Sequence, residues 1–119
     1  MNDNEKAKQF LQDQEYMVIA VTLEDSTPWA LPVRLRHWDG NVFEWDSMLA
    51  TEHSKALERS PEMAITIFQK FSDSQTGIYA KGHGELVEEK DHGLGRYRFT
   101  AEKVWLNDET FKKREVELG

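Results

Sequence analysis

Two stretches of this 119-residue chain concentrate cations, although its net charge is -7. WALPVRLRHWDG carries Arg34 and Arg36, and TEHSKALERSP carries Lys55. Lys55 falls in the first turns of an expected helix, with Thr51 available as its cap. The unpaired N–H groups and the dipole at such a helix start favour an anion, a phosphate above all. Lysine supplies a mobile point charge for that purpose, and arginine a planar fork. The competing reading is a solvated strand face and an ordinary surface lysine, with Glu44, Asp46, Glu52 and Glu58 as partners, because exposed ion pairs contribute little. Spacing alone leaves both open.

Other chemistries find less support. His37, His53, His83 and His92 never recur at i, i+3 or i, i+4, and there is no H-E-x-x-H pattern and no cysteine, so no metal site is expected. His53 keeps an interest because it stands two residues before Lys55. No G-x-S-x-G elbow occurs, and Ser47, Ser54, Ser60, Ser72 and Ser74 lie in cap, helix or loop contexts. No catalytic side chain is assigned. Gly82 and Gly84 lack a third glycine and sit inside an expected strand, so they read as structural. Trp29, Trp38, Trp45 and Trp105 suit a core or an interface, and Trp45, just ahead of the lysine helix, has the best claim to a planar ligand.

The elements that must position these groups follow from periodicity. A helix is expected over Asn2–Gln14, with Ala7, Phe10 and Leu11 on one face. Tyr16–Leu23, apolar at nearly every position, reads as a doubly covered strand. After the turn residues Glu24–Pro28, the apolar Trp29, Leu31, Val33 and Leu35 alternate with Arg34 and Arg36, while Pro32 demands an edge or a bulge. Asp39-Gly40 predicts a type I′ hairpin into a strand over Asn41–Asp46. A helix over Met48–Ser60 ends at Pro61. Strands follow at Met63–Gln69, Gly77–Glu88, Arg96–Leu106 and Thr110–Leu118, with loops at Lys70–Thr76 and Glu89–Gly95. Small residues at Ala80, Gly82 and Gly84 permit close approach by a ligand or a backbone, or relieve a barrel corner. Consecutive strands with tight connections indicate antiparallel pairing in a barrel or sandwich.

Length and composition agree with one ordered domain over residues 1–119, with hydrophobic residues at 39% and charged residues at 31%. The negative balance argues against nucleic acid as a partner. The charged start MNDNEKAKQF has no signal-peptide core, and no run approaches the roughly 18 apolar residues that span a bilayer. No membrane association and a cytoplasmic location are expected.

In order and spacing, EDSTPWALPVRLRHWDG, VFEWDS, HSKALERSPEMAITI and GIYAKGHGELVEE resemble the FMN-binding split-barrel proteins related to pyridoxamine 5′-phosphate oxidase. The likeness runs from about Phe10 to Val87 and more weakly to Trp105. It implies a mainly β fold, a six-stranded antiparallel Greek-key split barrel with flanking short helices. It also implies a homodimer with the cofactor at the subunit interface. By position, Lys55 with His53 or Ser54 contacts the FMN phosphate and Arg34 or Arg36 assists, while Val33–Arg36 (Val33, Arg34, Leu35, Arg36) and Trp45–Ser47 (Trp45, Asp46, Ser47) line the ring and ribityl chain. The implied activity is that of a flavin-dependent oxidoreductase on an unidentified small molecule. The sequence departs from the oxidase in three places. Ser54 replaces the first of a basic pair, Glu44-Trp45 replaces an aromatic-hydroxyl pair, and NDETFKKREVELG lacks the arginine-and-histidine segment for the vitamin substrate. A non-catalytic binding module with a degenerate site, or a haem or deazaflavin binder, are the alternatives.

Overall fold

The computed structural model describes residues 1–68 and 75–119. Its elements are α1 (Asp3–Leu11), β1 (Tyr16–Thr22), β2 (Pro28–Arg34), β3 (His37–Asp39), β4 (Val42–Met48), α2 (Glu52–Arg59), β5 (Glu62–Phe68), β6 (Gly77–Glu89), β7 (Leu94–Asn107) and β8 (Arg114–Val116). A short 3-10 turn, Asp91–Gly93, joins β6 to β7. All pairings are antiparallel, in the order β2-β1-β5-β6-β7-β4-β3, with β8 added to β7. The expected end of the fourth strand at Gln69 and most of the Lys70–Thr76 loop, with Ser72 and Ser74, lie outside the described residues.

The two ends of this sheet are one piece of chain. Leu35 N–H still bonds to Glu15 O at 2.8 Å, continuing the β1 pairing, whereas Arg36 N–H bonds to Glu44 O at 2.8 Å and starts the β4 pairing. The stretch 28–39 therefore leaves one sheet edge and joins the other, which closes the barrel. This split, and the short β8, raise the strand number to eight against the six expected, without changing the class. Pro32 pairs with Val18 on the edge strand β2, where its missing N–H removes no interior ladder bond.

The barrel is filled from alternate positions. Met17, Ile19 and Val21 of β1, Phe43 and Trp45 of β4, Met63, Ile65 and Ile67 of β5, and Tyr97, Phe99, Val104 and Leu106 of β6's neighbour β7 are all buried. Alternation of this kind lets one face of each strand fill a core while the other meets solvent. α1 seals one flank with Ala7 and Leu11. Its position is tied to the C-terminal segment through Asp108, which accepts from Lys6 Nζ and Arg114 Nη2, each at 2.8 Å.

Several boundaries differ from the sequence expectation, each for a local reason. The hairpin turn centres on Gly40-Asn41, since Asp39 pairs with Val42, and only Gly40 has positive φ, at +56°. Glycine at the first central position belongs to a type II′ turn rather than I′. Met48 belongs to β4, and α2 starts only after Thr51, whose hydroxyl accepts from Ser54 N–H. The Thr110–Leu118 strand shrinks to β8, because Asp108 and Thr110 organise a turn in which Phe111 takes φ +60°. The small residues of β6 answer to packing. A Cβ on Gly82 would stand 2.0 Å from Thr100 O, at a bulge, and one on Gly84 would stand 2.4 Å from Met63 Sδ.

Candidate functional site

Lys55 opens onto a groove of about 510 Å³ lined by Leu23, Glu24, Asp25, Glu52 and Arg59. One wall is α2. The other is the β1–β2 turn, where Ser26 N–H bonds to Leu23 O, Leu23 N–H bonds to Thr27 O, and Asp25 accepts from Thr27 N–H. The Thr27 hydroxyl, which also donates to Asp25, and after it the Thr27 N–H, hold the Asp25 carboxyl below its usual range. Ser26 sits at φ +69° in this turn, and Glu24 and Asp25 line the groove with α2. The volume is in the range of small-molecule sites.

The lysine's partner in this groove is Arg59, four residues on and so one helical turn away on the same face. Arg34 and Arg36 are elsewhere. Arg34 pairs with Tyr16 at the opposite end of β1 from Leu23, roughly 20 Å along the strand at about 3.3 Å per residue. Its guanidinium lies over the Tyr16 ring, 6.0 Å from the centroid. Arg36 approaches Asp46 at 3.8 Å. Within one chain, the expected meeting of Lys55 with Arg34 or Arg36 on one phosphate does not occur.

The polar residues around the start of α2 point inward. His53 Nε2 lies 3.0 Å from Ser47 Oγ and 3.3 Å from Thr51 Oγ1. Ser54 Oγ–H donates to Met48 O at 2.9 Å, and Ser54 is 1% exposed. Ser47, His53 and Ser54 thus lock the β4–α2 connection. Burial pushes the His53 imidazole below its ordinary pKa. Neither His53 nor Ser54 presents its side chain to the groove. Val33 and Leu35 are half-buried, packed against the core.

Trp45 is corrected most clearly as a ring-stacking candidate. Its side chain is 0% exposed and lies against Tyr97 inside the barrel, with centroids 5.6 Å apart and planes 20° apart. Its Nε1 is buried and has no hydrogen-bond partner among the described residues. Asp46, on the outer face of the same strand, is held by Arg96 and Lys90. Arg96 is the main reason that Asp46 titrates below its usual range. Glu44 shares that face. Burial pushes its carboxyl up, but hydrogen bonds from Arg98 at 2.8 Å and Arg96 at 3.3 Å outweigh this and leave it lowered.

Sequence reasoning missed Arg59, Glu24 and Asp25 as groove residues and Arg96 and Arg98 as the neutralising partners of Glu44. The i, i+4 spacing to Lys55 was a usable signal for Arg59. Nothing local announced the others, because they meet the site through tertiary pairing. Among the described residues, no group of three His, Asp or Glu is placed to hold a metal, and no helix is long and apolar enough to cross a membrane.

No protein-family profile matches the sequence, and no curated protein does. Solved structures do match. A protein related to general stress protein 26 of B. subtilis (pyridoxinephosphate oxidase family) from Clostridium acetobutylicum aligns over 97% of this chain and 94% of its own, at 12% identity and TM-score 0.80. A putative pyridoxamine 5′-phosphate oxidase from Listeria innocua aligns over 88% and 98%, at 15% identity and TM-score 0.76. A heme binding protein from Mycobacterium smegmatis aligns over 98% of this chain but 58% of its own, at 13% identity and TM-score 0.83. This chain therefore has the split-barrel fold of the proteins related to pyridoxamine 5′-phosphate oxidase.

Proposed function

We propose that this protein binds FMN as a homodimer and serves as a flavin-dependent oxidoreductase for a small molecule. The observation that carries the reading is Lys55. It is exposed, stands in a ligand-sized groove one helical turn from Arg59, and has no ion-pair partner among the described residues despite three acids in the same groove. An available ammonium beside the start of a helix fits a phosphomonoester.

The residues present fit the cofactor at its phosphate end. Lys55 and Arg59 would hold the phosphate, and the inward-turned Ser47, His53 and Ser54 would fix the helix that carries them. Bound flavin supplies the hydride chemistry, and the chain contributes position and electrostatics. Trp45 takes no part in stacking. The three acids leave the groove itself short of positive charge, so a second copy supplying Arg34 or Arg36 would complete it. The outer face of β2, β1 and β5 is suited to such a copy. Pro32, Val18 and Thr66 form one row and Ala30, Ala20 and Ala64 the next, all half-exposed or exposed. A mostly apolar sheet face of this kind favours burial against its like.

The vitamin-phosphate substrate is not part of the reading. The one arginine of the C-terminal segment, Arg114, is committed to Asp108 and Asp3.

Titration with FMN, followed by flavin fluorescence, tests the reading. Binding is expected, and Lys55→Ala should weaken it by about 10- to 100-fold, the worth of one charge-assisted hydrogen bond of about 1.5–3 kcal/mol. Light scattering should show a dimer for both proteins. Unaltered affinity in the variant would remove Lys55 from the site. A Soret band or a deazaflavin spectrum in the purified protein would replace FMN by another cofactor, and absence of binding would leave a non-catalytic module.

A further inference from the structure

Lys81 of β6 and Lys103 of β7 stand directly opposite one another in the sheet. Like charges in that relation repel. Two residues along β7, on the same face, is Trp105. The Lys81 ammonium lies 5.9 Å from the Trp105 ring centroid, and that of Lys113 lies 5.2 Å from it. Tyr79 is the cross-strand partner of Trp105 and is 37% exposed, so two aromatic residues share this face with Lys81 and Lys103.

The carboxylates that serve the other cations leave this cluster alone. Lys6, Lys90, Arg36, Arg96, Arg98 and Arg114 all have acidic partners. Among the described residues, Lys81, Lys103 and Lys113 have none. Glu102, Glu115 and Glu117 line a groove with Lys103, and among the described residues none of them is at ion-pair distance from it. Glu115 pairs with Trp105 from β8, and Glu102, at the bulge, is engaged by His83 Nδ1 at 3.1 Å. In a chain of net charge -7, two lysines over an indole with a third on the same face, none of them ion-paired among the described residues, are an unusual arrangement.

We infer that this surface binds a small planar anion, an aromatic ring bearing a phosphate, sulfonate or carboxylate. The ring would lie against Trp105 and Tyr79, where stacking is available, and the acidic group among Lys81, Lys103 and Lys113. An anion there relieves the Lys81–Lys103 repulsion, and an ammonium that the ring displaces from the indole is met by the ligand's acidic group. The acidic rim and the net charge disfavour a polyanion, which would have to cross them. The patch shares no residue with the Lys55 groove, and it borders the sheet face offered to a second copy, since Tyr79 pairs with Thr66 and Lys81 with Ala64.

The test is a titration of the ¹⁵N-labelled full chain, reading the indole N–H signals, with that of Trp105 assigned from a Trp105→Phe variant. 2-Naphthyl phosphate should shift the Trp105 signal saturably. Cyclohexyl phosphate, which lacks the ring, and 2-naphthol, which lacks the charge, should each bind at least about tenfold more weakly. The Lys81→Ala/Lys113→Ala double variant should lose about tenfold or more, with the other indole signals keeping their positions as evidence of an intact fold. Lys55→Ala should bind as the parent does. Equal affinity for all three probes, an unaffected lysine double variant, or loss of the shift in Lys55→Ala would each overturn the inference.

Discussion

Trp45→Phe separates a ligand-stacking indole from a core indole. The ring is fully buried and its Nε1 has no acceptor among the described residues. Leaving a buried donor unsatisfied costs about 1–3 kcal/mol, and phenylalanine has no such donor. Against this gain, the exchange removes on the order of 40 Å³, which at ~24 cal/mol per Å³ of residual cavity costs about 1 kcal/mol. Part of the stacking on Tyr97 survives, since a phenyl ring can keep the offset geometry. The two terms oppose each other and are similar in size. The variant should therefore lie within about 1 kcal/mol of the parent, whereas Trp45→Ala should lose about 3–5 kcal/mol. Urea unfolding followed by far-ultraviolet circular dichroism measures both without relying on the indole. FMN affinity should be the same in Trp45→Phe and the parent. A loss beyond about 3 kcal/mol would mean that Nε1 has an acceptor after all, and a large fall in FMN affinity at unchanged stability would return Trp45 to the ligand.

His53 and Gly82 give two further predictions. The His53 imidazole is buried against Ser47 and Thr51 with no carboxylate partner among the described residues, and burial lowers its pKa, so the unfolded chain takes up a proton that the folded chain resists. Stability should therefore fall as the pH drops below about 6.5, by up to about 1.4 kcal/mol per pH unit, until the folded-state imidazole also titrates. Denaturant midpoints between pH 8 and pH 5 should show that slope, and His53→Gln should flatten it; an equal slope in the variant would assign it to other groups. Gly82→Ala places a methyl 2.0 Å from Thr100 O, where only backbone can yield, so a loss of about 1–3 kcal/mol is expected in thermal unfolding, and a neutral result would show that the bulge shifts freely.

The strands were legible because their chemistry is local. Tyr16–Thr22 and Glu62–Phe68 are β-branched and apolar, and their pleat fixes which side chains enter the core. The break at Leu35–Arg36 was not legible, since the apolar alternation runs straight through it and only the partners of two N–H groups, Glu15 and Glu44, mark it. That break is also why the cation set was misjudged. It carries β2 along β1 in a register that sends Arg34 away from α2, and register is a property of the sheet, not of the stretch. Trp45 was readable in principle. Phe43, Trp45 and Ser47 occupy one side of β4 and Glu44 and Asp46 the other, an alternation that assigns the indole to the interior.

The acid that matters for an anion in the groove is not Glu44. On the outer face of β4, Glu44 and Asp46 alternate across the sheet with Arg98 and Arg96, and each carboxylate is met by a guanidinium at hydrogen-bond distance. Their charge is spent locally, and at longer range such a compensated pair has little field. Glu24, Asp25 and Glu52 are different, because they line the same groove as Lys55 and Arg59 and none of them has a cation partner among the described residues. Three negative and two positive groups leave the groove negative on balance. A phosphate carrying about -1.5 to -2 charge would therefore gain from close contact with the two cations and lose from the wider field. The three acids line the same groove as the two cations, within about one Debye length of ~8 Å, so salt weakens attraction and repulsion together. The decision therefore lies with the direct contacts of Lys55 and Arg59, and with whatever cations a second copy brings to the same groove.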